Sequence, residues 1–211
     1  MRNAVIETVY QEAIVNPNVY FITGDFQHVR EKEFKALGVR YQNAGMAEQN
    51  ILGMASGIAL SGGKVFVYSI IPFITLRCIE QIKVDVCSHN CDVAIVGGGA
   101  GFTYGTCGIT HLAIEDIAIM RALPNMKIVS PSGPKEVVAL MREIIKIGGP
   151  TYIRLDKRGE KDLVDQLPEF GRGMIVREGE DVCVVATGTI LAEALTAADI
   201  LGQEGISVEI I

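Results

Sequence analysis

The chain lacks the features that most quickly assign a sequence to a class. No apolar stretch reaches membrane-spanning length, so no membrane association is expected. No run of lysines or arginines occurs and the net charge is −6, which argues against nucleic acid as a partner. The first residues, Met1-Arg2-Asn3-Ala4-Val5-Ile6-Glu7, meet an acid early and carry no cleavage signature. The five cysteines are Cys78, Cys87, Cys91, Cys107 and Cys183. Odd in number and scattered through apolar segments, they fit free thiols in a reducing cytoplasm and not a disulfide framework. Cys87-Ser88-His89-Asn90-Cys91 has a metal-like spacing, but no second ligand cluster lies nearby, so no metal site is expected.

What is present is apolar. Hydrophobic residues make up 49% of the 211 positions, and the mean hydropathy is +0.31. That composition suits a parallel sheet buried on both faces together with a large subunit interface. The length allows one sizeable core and part of a second.

The order of elements is equally plain. Asn3 to Asn16 has helical spacing, with Asn3 as N-cap and Asn16-Pro17 as the stop. Val19–Thr23, Val39–Tyr41, Val65–Ser69, Val93–Val96, Lys127–Val129 and Thr151–Arg154 read as short buried strands. Between them lie helical patterns: a short one within His28 to Phe34, then Met46 to Leu60, Pro72 to Cys87, Ile109 to about Ala122, and Pro134 to Lys146. Strand–helix alternation predicts an α/β fold with a mostly parallel, doubly wound sheet. The glycine run Gly97 to Gly101 lacks a phosphate-loop pattern and is expected to be a mobile loop over the site. Asp156 to Gly173 reads as a linker. Asp181 to Ile211 then reads as one further β-α-β unit, the start of a second α/β domain. A single such unit cannot bury two faces of a sheet, so the chain is expected to be a fragment, a truncated form, or covered by a partner.

One stretch carries chemistry. From Met46 to Leu60 the only charged residue is Glu48, set among Ala47, Gly53, Ala55, Ser56, Gly57 and Ala59. A carboxylate there must be solvated, paired or neutralised by burial. The plain alternative is an exposed helix start, favoured by the macrodipole. His111, a lone histidine, and Asp25, after the strand ending at Thr23, are further candidates. Asp25 is equally well read as a simple turn residue.

Arg40-Tyr41-Gln42-Asn43-Ala44-Gly45-Met46-Ala47-Glu48-Gln49-Asn50 resembles a characteristic segment of transketolases. So does Gly105-Thr106-Cys107-Gly108-Ile109-Thr110-His111, followed by Ile114-Glu115-Asp116-Ile117-Ala118 and Arg121-Ala122-Leu123-Pro124-Asn125. Two motifs in the right order and spacing are a far stronger signal than a lone glycine-rich turn. The resemblance covers essentially the whole chain. It implies the pyrimidine-binding domain of a thiamine-diphosphate enzyme, in the form found as the C-terminal half of split transketolases. The implied division is a pyrimidine-binding domain over 1–160, a linker over 161–172, and a partial C-terminal domain over 173–211.

The resemblance also assigns roles. The glutamate matching Glu48 hydrogen-bonds the cofactor's aminopyrimidine ring, where a carboxyl group with no cation neutralising it is expected to share a proton. Phe73 aligns with an aromatic platform residue of the family, and Ile70 stands where another is usual. Asp25 lies near the cofactor. His111 is expected to hydrogen-bond the substrate hydroxyl or carbonyl during carbon–carbon cleavage, while Glu115 and Asp116 are expected to be structural. Cys107 replaces an acidic residue that in many transketolases reads the acceptor, which points to an unusual sugar. Lys157 and Arg158 follow the last strand, where relatives hold a phosphate-binding arginine.

The family's diphosphate and Mg²⁺ motif, G-D-G…N, is absent; Gly24-Asp25-Phe26 lacks its third glycine. The chain is therefore expected to bind only the pyrimidine half of thiamine diphosphate. The expected assembly is a homodimer or heterotetramer with a separate N-terminal-type subunit that holds Mg²⁺. The expected activity is transfer of a two-carbon ketol unit between sugars. The alternatives are a subunit like deoxyxylulose-phosphate synthase or a 2-oxoacid dehydrogenase beta chain, or a non-catalytic scaffold. The small-residue face of Gly53, Ala55, Ser56 and Gly57 is expected at a two-fold axis.

Overall fold

The computed structural model describes residues 1–156, 161–166 and 168–211. A helix α1 (Arg2–Val15) leads into strand β1 (Val19–Thr23), helix α2 (Glu31–Lys35), strand β2 (Tyr41–Asn43), helix α3 (Glu48–Leu60) and strand β3 (Lys64–Ile70). There follow α4 (Ile71–Ile74), α5 (Ile79–Gln81), β4 (Val93–Gly98), α6 (Asp116–Met120), β5 (Lys127–Val129), α7 (Pro134–Ile147) and β6 (Thr151–Leu155). A second unit holds β7 (Val182–Val184), α8 (Leu191–Gln203) and β8 (Val208–Ile210).

The first six strands form one parallel sheet in the order β2-β1-β3-β4-β6-β5. The central strands are mostly apolar because both faces are covered. Along β3 the side chains alternate between two cores. Phe66 and Tyr68 join Val5, Val9 and Val137 under α1 and α7. Val65 and Val67 join Ile51, Leu52 and Ile82 under α3 and the segment after α5. A smaller third cluster packs α8 on the parallel pair β7–β8. Among the described residues no helix is long and apolar enough to cross a membrane.

Arg40, the first residue of the glutamate motif, turns out to be a cap. Its guanidinium donates to the Ala13 carbonyl at 2.6 Å and the Asn16 carbonyl at 3.2 Å, satisfying the C-terminal end of α1.

Five expectations are corrected. The expected helix from Pro72 to Cys87 is broken. Thr75 turns its hydroxyl back on the Ile71 carbonyl at 2.6 Å, a 3-10 turn covers Leu76–Cys78, and Ile82–Cys87 winds as a π-helix. The expected helix from Ile109 to Ala122 shrinks to α6. His111 lies in a 3-10 turn, and Ala113 pairs with Gly101 in an antiparallel bridge that holds the backbone extended. Third, Gly97 to Gly101 is not a mobile loop. Gly97 and Gly98 end the buried strand β4. A Cβ on Gly99, whose φ is +92°, would stand 2.2 Å from the Tyr104 ring. Fourth, Ala55 and Ser56 are buried against the sheet, and only Gly53 and Gly57 face outward. Finally, Met1, not Asn3, caps α1.

Candidate functional site

The sheet order places the site. From β1 the chain moves to β2 on one side, then returns through α3 to β3 on the other, so strand order reverses at β1. In open α/β sheets the crevice at such a reversal, at the carboxyl ends of the strands, is where ligands bind. Three segments meet there: the end of β1, the start of α3, and the end of β3 with the turn α4.

Glu48 is the first residue of α3, where the helix dipole favours a carboxylate. It is not exposed: 3% of its surface is accessible. Ser69, on β3, donates its hydroxyl to Oε1 at 2.9 Å. Arg77, in the 3-10 turn beyond α4, donates to Oε2 at 2.9 Å. The expected carboxyl group without a cation is therefore corrected, since Glu48 is paired. The Arg77 side chain is 47% exposed, so the pair sits at the lip of the crevice with its anion inside and its cation half in solvent.

Phe73 lies in α4, which Pro72 starts at a position where no amide is needed. The Arg77 guanidinium lies over the Phe73 ring at 4.5 Å from its centroid. The His111 ring meets Phe73 at 5.0 Å and 71°, and Tyr104 at 6.3 Å. Cys78 donates its thiol to the Phe73 carbonyl at 3.2 Å. Burial first, then the Glu48 carboxylate, pushes that thiol up to about 12, so it stays protonated. The two strongest sequence candidates, Glu48 and His111, are thus joined through Arg77 and Phe73, side by side. Thr110 holds the other side of the histidine, its hydroxyl 2.9 Å from Nδ1.

Other candidates lie further out. Ile70 ends β3 and is half-buried beside α4. Asp25 is exposed in the loop after β1. Cys107 is exposed in the 3-10 turn Gly105–Cys107. Lys157 and Arg158 lie outside the described residues.

Residues 1–159 match the family described as transketolase, pyrimidine binding domain, and residues 171–211 match transketolase, C-terminal domain. The chain belongs to the transketolase family. It is 40% identical over 176 residues to a putative transketolase C-terminal section of Methanocaldococcus jannaschii, covering 82% of this chain and 56% of that protein. A subunit of the apulose-4-phosphate transketolase of Actinobacillus succinogenes is 37% identical over 174 residues, again 82% of this chain and 56% of that one. The chain thus spans little more than half the length of these relatives. A split gene transketolase solved as an inactive beta4 tetramer superposes with a TM-score of 0.87 at 33% identity, over 99% of this chain and 69% of that chain.

Membership of the transketolase family implies thiamine diphosphate as cofactor. The buried Glu48 carboxyl and the half-buried Phe73 ring, both in contact with Arg77, are of the types that can take a flat, hydrogen-bonding ring such as a pyrimidine. For the metal, no group of three or more His, Cys, Asp or Glu that could hold an ion exists among the described residues.

Sequence reasoning missed Ser69 and Arg77. The signal for Arg77 was the one used for Glu48: it is the only charged residue between Lys64 and Glu80. Asp116 was expected to be structural, and it is buried under Tyr152 and Arg154 at the base of the His111 segment.

Proposed function

We propose that the chain is the pyrimidine-binding subunit of a split transketolase, moving a two-carbon ketol unit between sugars. The observation that carries this reading is a carboxylate buried at the strand-order reversal, linked through Arg77 to Phe73 and His111. Relatives named as a C-terminal section and as one subunit of a transketolase support the split arrangement. The partner would be an N-terminal-type subunit that holds the diphosphate and Mg²⁺, in a homodimer or heterotetramer in the cytoplasm. Within the chain we take 1–160 as the pyrimidine-binding domain, 161–172 as the linker and 173–211 as the start of the C-terminal domain.

Thiamine diphosphate supplies, when bound, the electron sink that lets a carbon–carbon bond beside a carbonyl break and re-form. The protein's part is positional and acid–base. Glu48, itself buried, holds and shares a proton at the pyrimidine N1′. Phe73 and Ile70 give the ring an apolar seat, and Asp25 borders it from the loop after β1. His111 hydrogen-bonds the substrate hydroxyl or carbonyl, with Tyr104 and Phe73 fixing its ring. Cys107, in place of a charged reader, suits an acceptor other than a common pentose phosphate. Lys157 and Arg158 would meet its anionic end.

The test mixes this chain with its diphosphate-binding partner, thiamine diphosphate and Mg²⁺, and follows exchange of the cofactor C2 proton by NMR. Glu48→Gln keeps the side-chain volume and should slow exchange by at least ~10²-fold, the low end for a positioned acid–base group. Exchange at the wild-type rate would overturn the assignment.

A further inference from the structure

Arg77 makes the two contacts that a protonated aminopyrimidine would make. It is flat and cationic, it donates to Glu48 Oε2 at 2.9 Å, and it stacks over Phe73 at 4.5 Å. Held between that oxygen and that ring, the guanidinium fills the volume that a flat ring bonded to Oε2 and stacked on the same face of Phe73 would need. Glu48 Oε1 accepts from the Ser69 hydroxyl on β3, and the His111 ring meets Phe73 edge-to-face at 5.0 Å and 71°. We infer that Arg77 occupies the ring's seat in the free chain and must turn out for the pyrimidine to enter. The inference rests on Glu48 and Phe73 being that seat.

The local structure allows this movement. Arg77 follows the break in the helix at Thr75, where the backbone leaves helical register. Gln49 holds the Arg77 carbonyl at 3.3 Å, which anchors the backbone and leaves the side chain free. With 47% of that side chain exposed, the guanidinium can rehydrate as it leaves. In its absence Glu48 would be a buried, unpaired charge, which is costly. Arg77 therefore keeps the empty site folded, and the incoming ring takes over the pairing. Affinity for the ring is reduced by the fraction of time the seat is blocked.

The full-length chain is titrated with 4-amino-5-hydroxymethyl-2-methylpyrimidine, the ring portion of the cofactor, by ligand-observed NMR. Arg77→Met keeps an unbranched apolar stem but removes the cation. It should bind the probe on the order of tenfold tighter than wild type, as expected if the seat is blocked about nine-tenths of the time. Added guanidinium, far below denaturing levels, should weaken probe binding to Arg77→Met and leave wild type unchanged. Arg77→Lys, which lacks the flat fork, should fall between the two. If Arg77→Met does not fold, Arg77→Lys decides the matter by the same comparison with wild type. Equal or weaker binding by the Arg77 variants, or no binding by any of them, overturns the inference. Placing Glu48→Gln in the Arg77→Met background separates the two readings. Lost binding there with no gain from Arg77→Met alone sinks only the role of Arg77, while unchanged binding sinks Glu48 as the ring's seat.

Discussion

Ser69 holds the inner oxygen of Glu48. The serine is fully buried on β3, the glutamate begins α3, and the hydroxyl reaches Oε1 at 2.9 Å. The bond ties the first turn of a helix to the end of a central strand. It also aims the carboxylate, leaving Oε2 as the oxygen that faces the crevice and Arg77.

Ser69→Ala should therefore cost stability as well as aim. A hydrogen bond to a buried charged group is worth roughly 1.5–3 kcal/mol, and both Ser69 and Glu48 are buried. Urea unfolding should show a lower midpoint with an unchanged slope. A midpoint equal to wild type would mean that the serine is a bystander.

Much of this arrangement was legible beforehand. Strands β3 and β4 stand out because a strand buried on both faces is an unbroken apolar run. Glu48 stands out because nothing else charged lies near it in sequence. What stayed hidden depends on contacts between distant segments. Arg77 and Glu48 are 29 positions apart, and no local spacing announces their pairing. Gly97 to Gly99 read as mobile, yet Ile71, Tyr68 and Tyr104 pack where their side chains would be. Helix spacing from Pro72 to Cys87 is regular, and it takes the Thr75 hydroxyl and the π-turns to break it. The helix expected over Ile109 to Ala122 shrinks because Ala113 bonds to Gly101, just beyond the end of β4. Lys157 and Arg158 stand outside the described residues and remain sequence-based proposals.

His28 predicts the pH dependence of folding. Its ring lies among Phe21, Phe34 and Tyr41, with Nε2 at 3.1 Å from the Tyr41 hydroxyl and a buried Nδ1 that has no partner among the described residues. Burial lowers its pKa from the ordinary 6.5, and the opposing pull of Glu31 is smaller. The folded state thus binds this proton less readily than the unfolded chain. The contribution is fully present above 6.5 and is lost as pH falls from there through the lowered folded value. His28→Phe should remove this part of the slope, measured as urea midpoints across that range. An unchanged slope would place the titrating group elsewhere.

The last prediction concerns the floor beneath His111. Asp116 opens α6 with 1% of its surface exposed. It accepts the Tyr152 hydroxyl at 2.6 Å and Arg154 Nε at 2.8 Å, while Arg154 Nη2 donates to the Ala113 carbonyl at 3.1 Å. Burial, then the Asp116 charge, pushes the Tyr152 hydroxyl well above the ordinary 10.0, so it stays a donor. These bonds fix the segment from Ala113 to Asp116, and Ala113 in turn bridges to Gly101. Tyr152→Phe removes one donor and should cost about 1.5–3 kcal/mol, because Arg154 still holds the carboxylate. Asp116→Ala strands the Arg154 cation and the Tyr152 hydroxyl together and should cost about 3–5 kcal/mol, the range for breaking a buried pair. Because the two residues share one bond, the double variant should be less unstable than the sum of the singles by at least about 0.5 kcal/mol. In the reconstituted pair, Asp116→Ala should also lower kcat below the level of Tyr152→Phe, since the His111 segment loses its footing. Additive stabilities would show that Asp116 and Tyr152 act independently, and equal kcat values would detach this cluster from the site above it.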